Sequence, residues 1–121
     1  MPAIALTSNS SIITAISNDF SFDSVFSRQC ESLISKGDVV IGISTSGNSL
    51  NVKKGINTSK KNGAITIGLL GNNGGSIKKC VDIPLIVNST STPHIQEVHR
   101  TIYHIICEIV EKELVESSRK K

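Results

Sequence analysis

Six residues, Ser44-Thr45-Ser46-Gly47-Asn48-Ser49, carry the strongest chemical signal in this 121-residue chain. Four hydroxyls around one glycine suit an anion, and phosphate first. The run before them, Val39-Val40-Ile41-Gly42-Ile43, is apolar on both faces and predicts a buried parallel strand. The segment after them, Leu50 to Asn62, predicts a surface helix. In parallel α/β sheets ligands bind beyond the carboxyl ends of the strands. A helix N-terminus there presents free N–H groups and a partial positive charge. Hydroxyls of Ser44, Thr45, Ser46 and Ser49 add donors, and Gly47 lets backbone approach the anion closely. An ordinary serine-capped helix shares the local pattern. The strand before and helix after favour phosphate. No Gly-Lys-Ser/Thr follows, so the loop is not a Walker motif, and it is not a dinucleotide fingerprint.

The second signal is a set of polar residues in the last apolar-periodic segment: Gln96, Glu97, His99 and His104. On one straight helix Gln96 and His104 lie about 80° apart around the axis and about 12 Å apart along it. One helix does not easily bring both to one metal ion or one substrate atom. If both act in one site, two chains contribute or one acts through an intermediary. His104, amid Ile102, Ile105 and Ile106, also fits a satisfied core histidine. His94 and His99 are expected at an exposed or interface position. The spacing is not HExxH, and no Ser-His-Asp order or carboxylate pair stands out. Glu108, Glu111, Glu113 and Glu116, with Lys112, form a solvated face.

The elements that must position these residues follow from periodicity. Ala3–Leu6 predicts a short strand before a turn cluster; Ile12 to Ile16 fits either state, and Asn18-Asp19 a cap or turn. Phe22, Val25, Phe26, Cys30, Leu33 and Ile34 fall at helical spacings, with Gly37 as the stop. Ala64 to Leu70 is a second buried strand. Gly71 to Gly75 is a loop opening a short helix to Cys80. Asp82 to Val87 is a further strand, at a sheet edge because of Pro84. Ser89 to Pro93 is a turn. His94 to about Val115 is a long helix, with Ile95, Val98, Ile102, Ile105, Ile106, Ile109, Val110 and Leu114 on its buried face. Alternating strands and helices call for one α/β domain over residues 1–121, an open parallel sheet with helices on both faces.

Composition removes other classes. Hydrophobic residues are 38%, charged residues 19% and the net charge is +3. That excess is too small and too spread to argue for nucleic acid. Its one cluster, Arg119-Lys120-Lys121, suits a solvated tail. Aromatics are 3%, leaving no base-stacking platform. No apolar run approaches the roughly 18 residues of a membrane span. Cys30, Cys80 and Cys107 form no CxxC; Cys30 and Cys107 are expected as small buried hydrophobes. An odd cysteine count and no signal-peptide pattern at Met1–Leu6 predict a reducing cytoplasm.

Three stretches together, Gly37 to Ser49, Thr66 to Gly71 with Gly74-Gly75, and Ile95-Gln96-Glu97-Val98-His99 with His104, resemble the phosphoheptose isomerases of the SIS (sugar isomerase) family. Asn18-Asp19-Phe20 and Phe26-Ser27-Arg28 are similar too. The resemblance implies a flavodoxin-like three-layer fold with a five-stranded parallel sheet, in a homotetramer with sites between subunits. It implies conversion of the sugar phosphate sedoheptulose 7-phosphate to D-glycero-D-manno-heptose 7-phosphate, for bacterial lipopolysaccharide or surface glycans. Ser44, Thr45, Ser46 and Ser49 would hold phosphate, with Asp19 and Thr92 near the sugar. Gln96 and His104 would face the reacting carbons or a zinc ion, and His104 would be the catalytic acid–base group.

Family members carry, before the part matched here, helices, a first strand ending in Gly-Asn-Gly-Gly-Ser, and a helix with a His and a Glu. A fragment, a truncated reading frame or half of a split protein is therefore expected. It has about four strands and lacks a catalytic Glu and zinc ligands. The absent strand belongs between Ala3–Leu6 and Val39–Ile43. Direct pairing of those two is expected, with association through the His94–Val115 helix covering what stays exposed. The alternative is a non-catalytic SIS module, like the DnaA initiator-associating protein; the presence of His104 favours the isomerases. A transcription regulator's sugar-sensing half fits less well, as no helix-turn-helix pattern precedes the domain.

Overall fold

The three β-branched runs pair with one another. β1 (Val39–Ser44), β2 (Ile65–Gly71) and β3 (Ile83–Val87) form a parallel sheet in the order β1-β2-β3. The register sets Val39 beside Ile65 and Gly42 beside Gly68, then Leu69 beside Leu85. The computed structural model describes residues 1–119; Lys120 and Lys121 of the basic cluster lie outside the described residues. Helix α1 (Ser10–Asp19) starts on the side chain of Asn9, which accepts the Ile12 N–H at 3.1 Å. A 3₁₀ turn (Phe22–Ser24) leads into α2 (Val25–Leu33). Helix α3 (Leu50–Lys61) follows β1, and α4 (Thr92–Arg119) follows β3.

Alternation along the strands decides which helix covers what. Val40, Gly42 and Ser44, with Thr66, Gly68 and Leu70, face α3. Ile56, Leu70, Ile77 and Val81 make the core there, joined by Val40, Val52, Cys80 and Ile86. Gly42 leaves room for this packing, since a Cβ would sit 3.0 Å from Ile56 and Val52 side-chain atoms. Helix α2 lies on α3 where Gly55 meets Phe26. Asn62 ties the two by donating to the carbonyls of Cys30 and Ile34.

The opposite face is covered only in part. Fully buried Ile95 of α4 packs at Gly71, and α4 lies against β2 and β3. Val39, Ile41 and Ile43 of β1 stay 57%, 42% and 51% exposed on that side. Along α4, Val98, Ile105, Ile109 and Leu114 are exposed as well, against the expected buried stripe.

Two expectations are corrected. Ala3–Leu6 is not a strand and makes no ladder with Val39–Ser44, so the sheet has three strands among the described residues, and not about four. A strand needs a partner for its N–H and C=O groups. Here the Leu6 carbonyl is taken by Gln29 Nε2 of α2 at 3.1 Å, and the Ala5 carbonyl accepts from Ser8 in a turn. Cys107 is exposed, because the part of α4 that carries it extends past the covered sheet. Cys30 is buried as expected, and that burial pushes its thiol pKa up.

Candidate functional site

The loop after β1 folds on its own hydroxyls. Ser44 is buried, and its Oγ lies 2.9 Å from Ser49 Oγ and 3.5 Å from Ser46 Oγ. The Gly47 N–H closes a turn on the Ser44 carbonyl at 3.1 Å, with φ +68° at Gly47. The loop after β2 interlocks with it. The Gly47 carbonyl accepts the Ile77 N–H at 3.0 Å, and Asn48 Oδ1 accepts the Ser76 N–H at 2.8 Å. A Cβ on Gly47 would run into the Gly74 carbonyl, and one on Gly75 into the Gly47 carbonyl. Asn72 Nδ2 donates to the Thr45 carbonyl at 3.0 Å, and the Asn72 N–H to the Ser89 carbonyl beyond β3. The carboxyl ends of all three strands are thereby held together.

Two cavities flank this loop. One, of about 550 Å³, is lined by Ile43, Ser44, Thr45 and Ser49 below and by Gln96, His99, Arg100 and Tyr103 of α4 above. The other, of about 530 Å³, is lined by Ser46, Asn48, Asn72, Asn73, Asn88 and Thr90. The first offers hydroxyl donors, the start of α3 behind Ser49, and a guanidinium, all of which favour an anion. Residues 1–71 match the model of the SIS domain.

The chain belongs to the SIS family.

Its relatives agree. The chain is 56% identical over 114 residues to a phosphoheptose isomerase of Geobacter sulfurreducens, covering 94% of this chain and 60% of that protein. It superposes with a TM-score of 0.89 on phosphoheptose isomerase from Neisseria gonorrhoeae, at 41% identity over 91% of this chain and 61% of that one. A phosphoheptose isomerase from Francisella tularensis gives the same TM-score at 34% identity, over 92% and 60%. The chain thus spans about three fifths of the length of the relatives it matches.

Within this SIS fold Ser44, Thr45, Ser49 and Gln96 share the first cavity. Ser46 faces the second. Asp19 ends α1, Thr92 begins α4 and His104 lies on α4 beside Tyr103, ring centroids 5.0 Å apart; all three are exposed and line neither cavity. His104 is therefore no core histidine. The expectation for His99 is corrected: it is buried, because Ile95 and His99 are one turn apart and Ile95 faces the sheet. His99, Arg100 and Tyr103 are the cavity residues that sequence reasoning missed. Their offsets of three, four and seven from Gln96 were the available signal.

Zinc does not fit a single copy. Among the described residues no three His, Cys, Asp or Glu side chains converge. The strongest carboxylate shift lies elsewhere. Asp82 accepts from Lys60 Nζ at 2.6 Å, and from Thr66 N and Oγ1, which hold its pKa down at about 2. It stands at the start of β3, at the sheet end away from the cavities, and is structural.

Proposed function

We propose that the chain binds a sugar phosphate in the cavity between the Ser44–Ser49 loop and α4, as part of a phosphoheptose isomerase of bacterial heptose and lipopolysaccharide synthesis. The substrate is sedoheptulose 7-phosphate. The observation that carries this reading is Gln96 and Arg100 set over Ser44, Thr45 and Ser49 in one cavity. The named relatives above support it. Phosphate sits on the hydroxyls and the start of α3, where N–H groups are free to donate. Arg100 supplies the charge.

Isomerisation moves a proton. A base takes a hydrogen from C1 of the ketose, the enediol forms, and a proton returns at C2 while the hydroxyl proton passes between the two oxygens. One group must serve the carbons and another the oxygens. His104 is one of these two groups. Since it lies outside the cavity of its own chain, it serves one formed with another copy, in a homo-oligomer, a tetramer by family resemblance. The cytoplasm suits three free cysteines, and no helix of the described residues is long and apolar enough to cross a membrane.

No carboxylate lines the cavity among the described residues. The purified 121-residue chain should therefore bind sedoheptulose 7-phosphate in a calorimetric titration, yet isomerise it orders of magnitude below a full-length relative. Thr45→Ala with Ser49→Ala should weaken binding at least about tenfold. No binding would overturn the reading, and a full-length rate would overturn the need for a second group. The same missing carboxylate favours one other reading, a non-catalytic SIS module. Tight capture of DnaA by the purified chain, with no sugar-phosphate binding, would establish it.

A further inference from the structure

We propose that His99 is a positioning residue of this cavity, holding Gln96 and Arg100 over the Ser44–Ser49 loop through the carbonyl of Leu70. The proposal deepens the sugar-phosphate reading and rests on it. His99 is 3% exposed, and its Nε2 lies 3.1 Å from the Leu70 carbonyl oxygen. A carbonyl only accepts, so Nε2 carries the hydrogen and a neutral ring leaves Nδ1 as a bare acceptor. Nδ1 is buried and has no hydrogen-bond partner. Burying an unpaired acceptor is unfavourable, and a leucine packed at position 99 would avoid that. Packing alone does not account for a histidine here.

Its neighbours on both sides do. Leu70 is followed by Gly71, which lies so close under the loop that a Cβ would run into the Thr45 carbonyl. On α4, His99 sits three residues after Gln96 and one before Arg100, and all three line the cavity. Among the described residues this is the one side-chain hydrogen bond that joins α4 to the sheet. The other anchor, Ile95, packs at Gly71 and sets which side of α4 meets the sheet, but it makes no directed bond. A slip of one residue turns the helix by about 100° and carries Gln96 and Arg100 off the loop. The His99 bond adds a directional constraint to the rotation that Ile95 selects.

The test compares the parent chain with His99→Leu, which fills the space without a donor, and His99→Gln, which keeps an N–H near Nε2. Ring ¹⁵N–¹H spectra of the parent should show His99 as the single Nε2–H tautomer. In sedoheptulose 7-phosphate titrations His99→Leu should bind about tenfold more weakly and His99→Gln should recover to within about threefold of the parent. Thermal melts separate this from folding: a lowered Tm with unchanged affinity in His99→Leu overturns the proposal, as does an Nδ1–H tautomer or a Gln variant no better than Leu. Should His99→Leu not fold, the tautomer and the Gln affinity decide together. A parent chain that binds no sugar phosphate overturns the underlying reading and this proposal with it. A binding parent with an equally binding Leu variant overturns this proposal alone.

Discussion

The two faces of the sheet are built from the same three strands and meet different fates. Under α3, alternate residues close into a core of Ile56, Leu70, Ile77 and Val81, and small residues at Gly42 and Gly55 let the layers approach. Under α4, more apolar alternates such as Ile41 and Ile43 stay exposed, because α4 lies against β2 and β3 and then runs on past the sheet. The strand residues on the α4 side are the more apolar set, so helix placement and not hydrophobicity decides which face is covered. The site lies at the boundary between them, its floor from the loop capping the α3 side and its roof from the first turns of α4. The floor is interlocked by backbone contacts, whereas the roof hangs on Ile95 and His99.

Breaking the covered face should have the largest effect. Leu70 has no exposed surface, and Leu70→Ala should cost about 3–4 kcal/mol in urea unfolding, through lost burial and the cavity left behind. The matched change on the other side, Ile109→Ala at a residue 55% exposed, should cost no more than about 0.5 kcal/mol. Equal losses would mean that α4 is covered in solution. Gly47→Ala comes next. It combines a left-handed φ with a backbone collision and should cost about 2–3 kcal/mol and abolish sugar-phosphate binding. Gly37→Ala sharpens the point: φ is +93° but nothing lies within 4 Å, so only about 1 kcal/mol should be lost in thermal or urea unfolding.

The smallest effect belongs to Asp82, which stands apart from both faces at the start of β3. Its carboxyl falls from 3.8 to about 2 on folding, chiefly through Lys60. A depressed carboxylate stabilises the fold above its unfolded pKa, and that contribution is lost as pH falls through the folded one. Urea midpoints should therefore drop between about pH 4 and pH 2, and Asp82→Asn should flatten that decline. An unchanged slope in the variant would remove Asp82 from the account.

The parallel strands, the helix after Ser49 and the hydroxyl-rich loop between strand and helix were all legible from the sequence. Continuous β-branched runs at Val39–Ile43 and Ala64–Leu70 leave little choice, and local order at Ser44–Ser49 needs only neighbours in the chain. Long-range facts were not legible. Ala3–Leu6 is apolar enough for a strand, but only a paired edge makes one, and Gln29 had already claimed the Leu6 carbonyl. On α4 apolar residues fall on several sides, so periodicity alone does not tell which stripe meets the sheet. Ile95 won, and took His99 inside with it. His104 was singled out by residue type, while the cavity selected Gln96, His99, Arg100 and Tyr103 by angle around the helix.

The mutual contact of Gly47 and Gly75 has an evolutionary consequence. A Cβ on either collides with main-chain atoms of the facing loop, which no second substitution can shorten, and one on Gly75 meets Asn48 Oδ1 as well. No partner change compensates, so neutral drift has no two-step route through this pair. Of the hydroxyls around it, those of Ser44, Ser46 and Ser49 are tied into the loop, whereas that of Thr45 makes no hydrogen bond among the described residues and can be traded for serine without disturbing the frame. The loop is thus divided into a part that cannot vary and a part that can, and new ligand preferences in such a site would have to arise from the second.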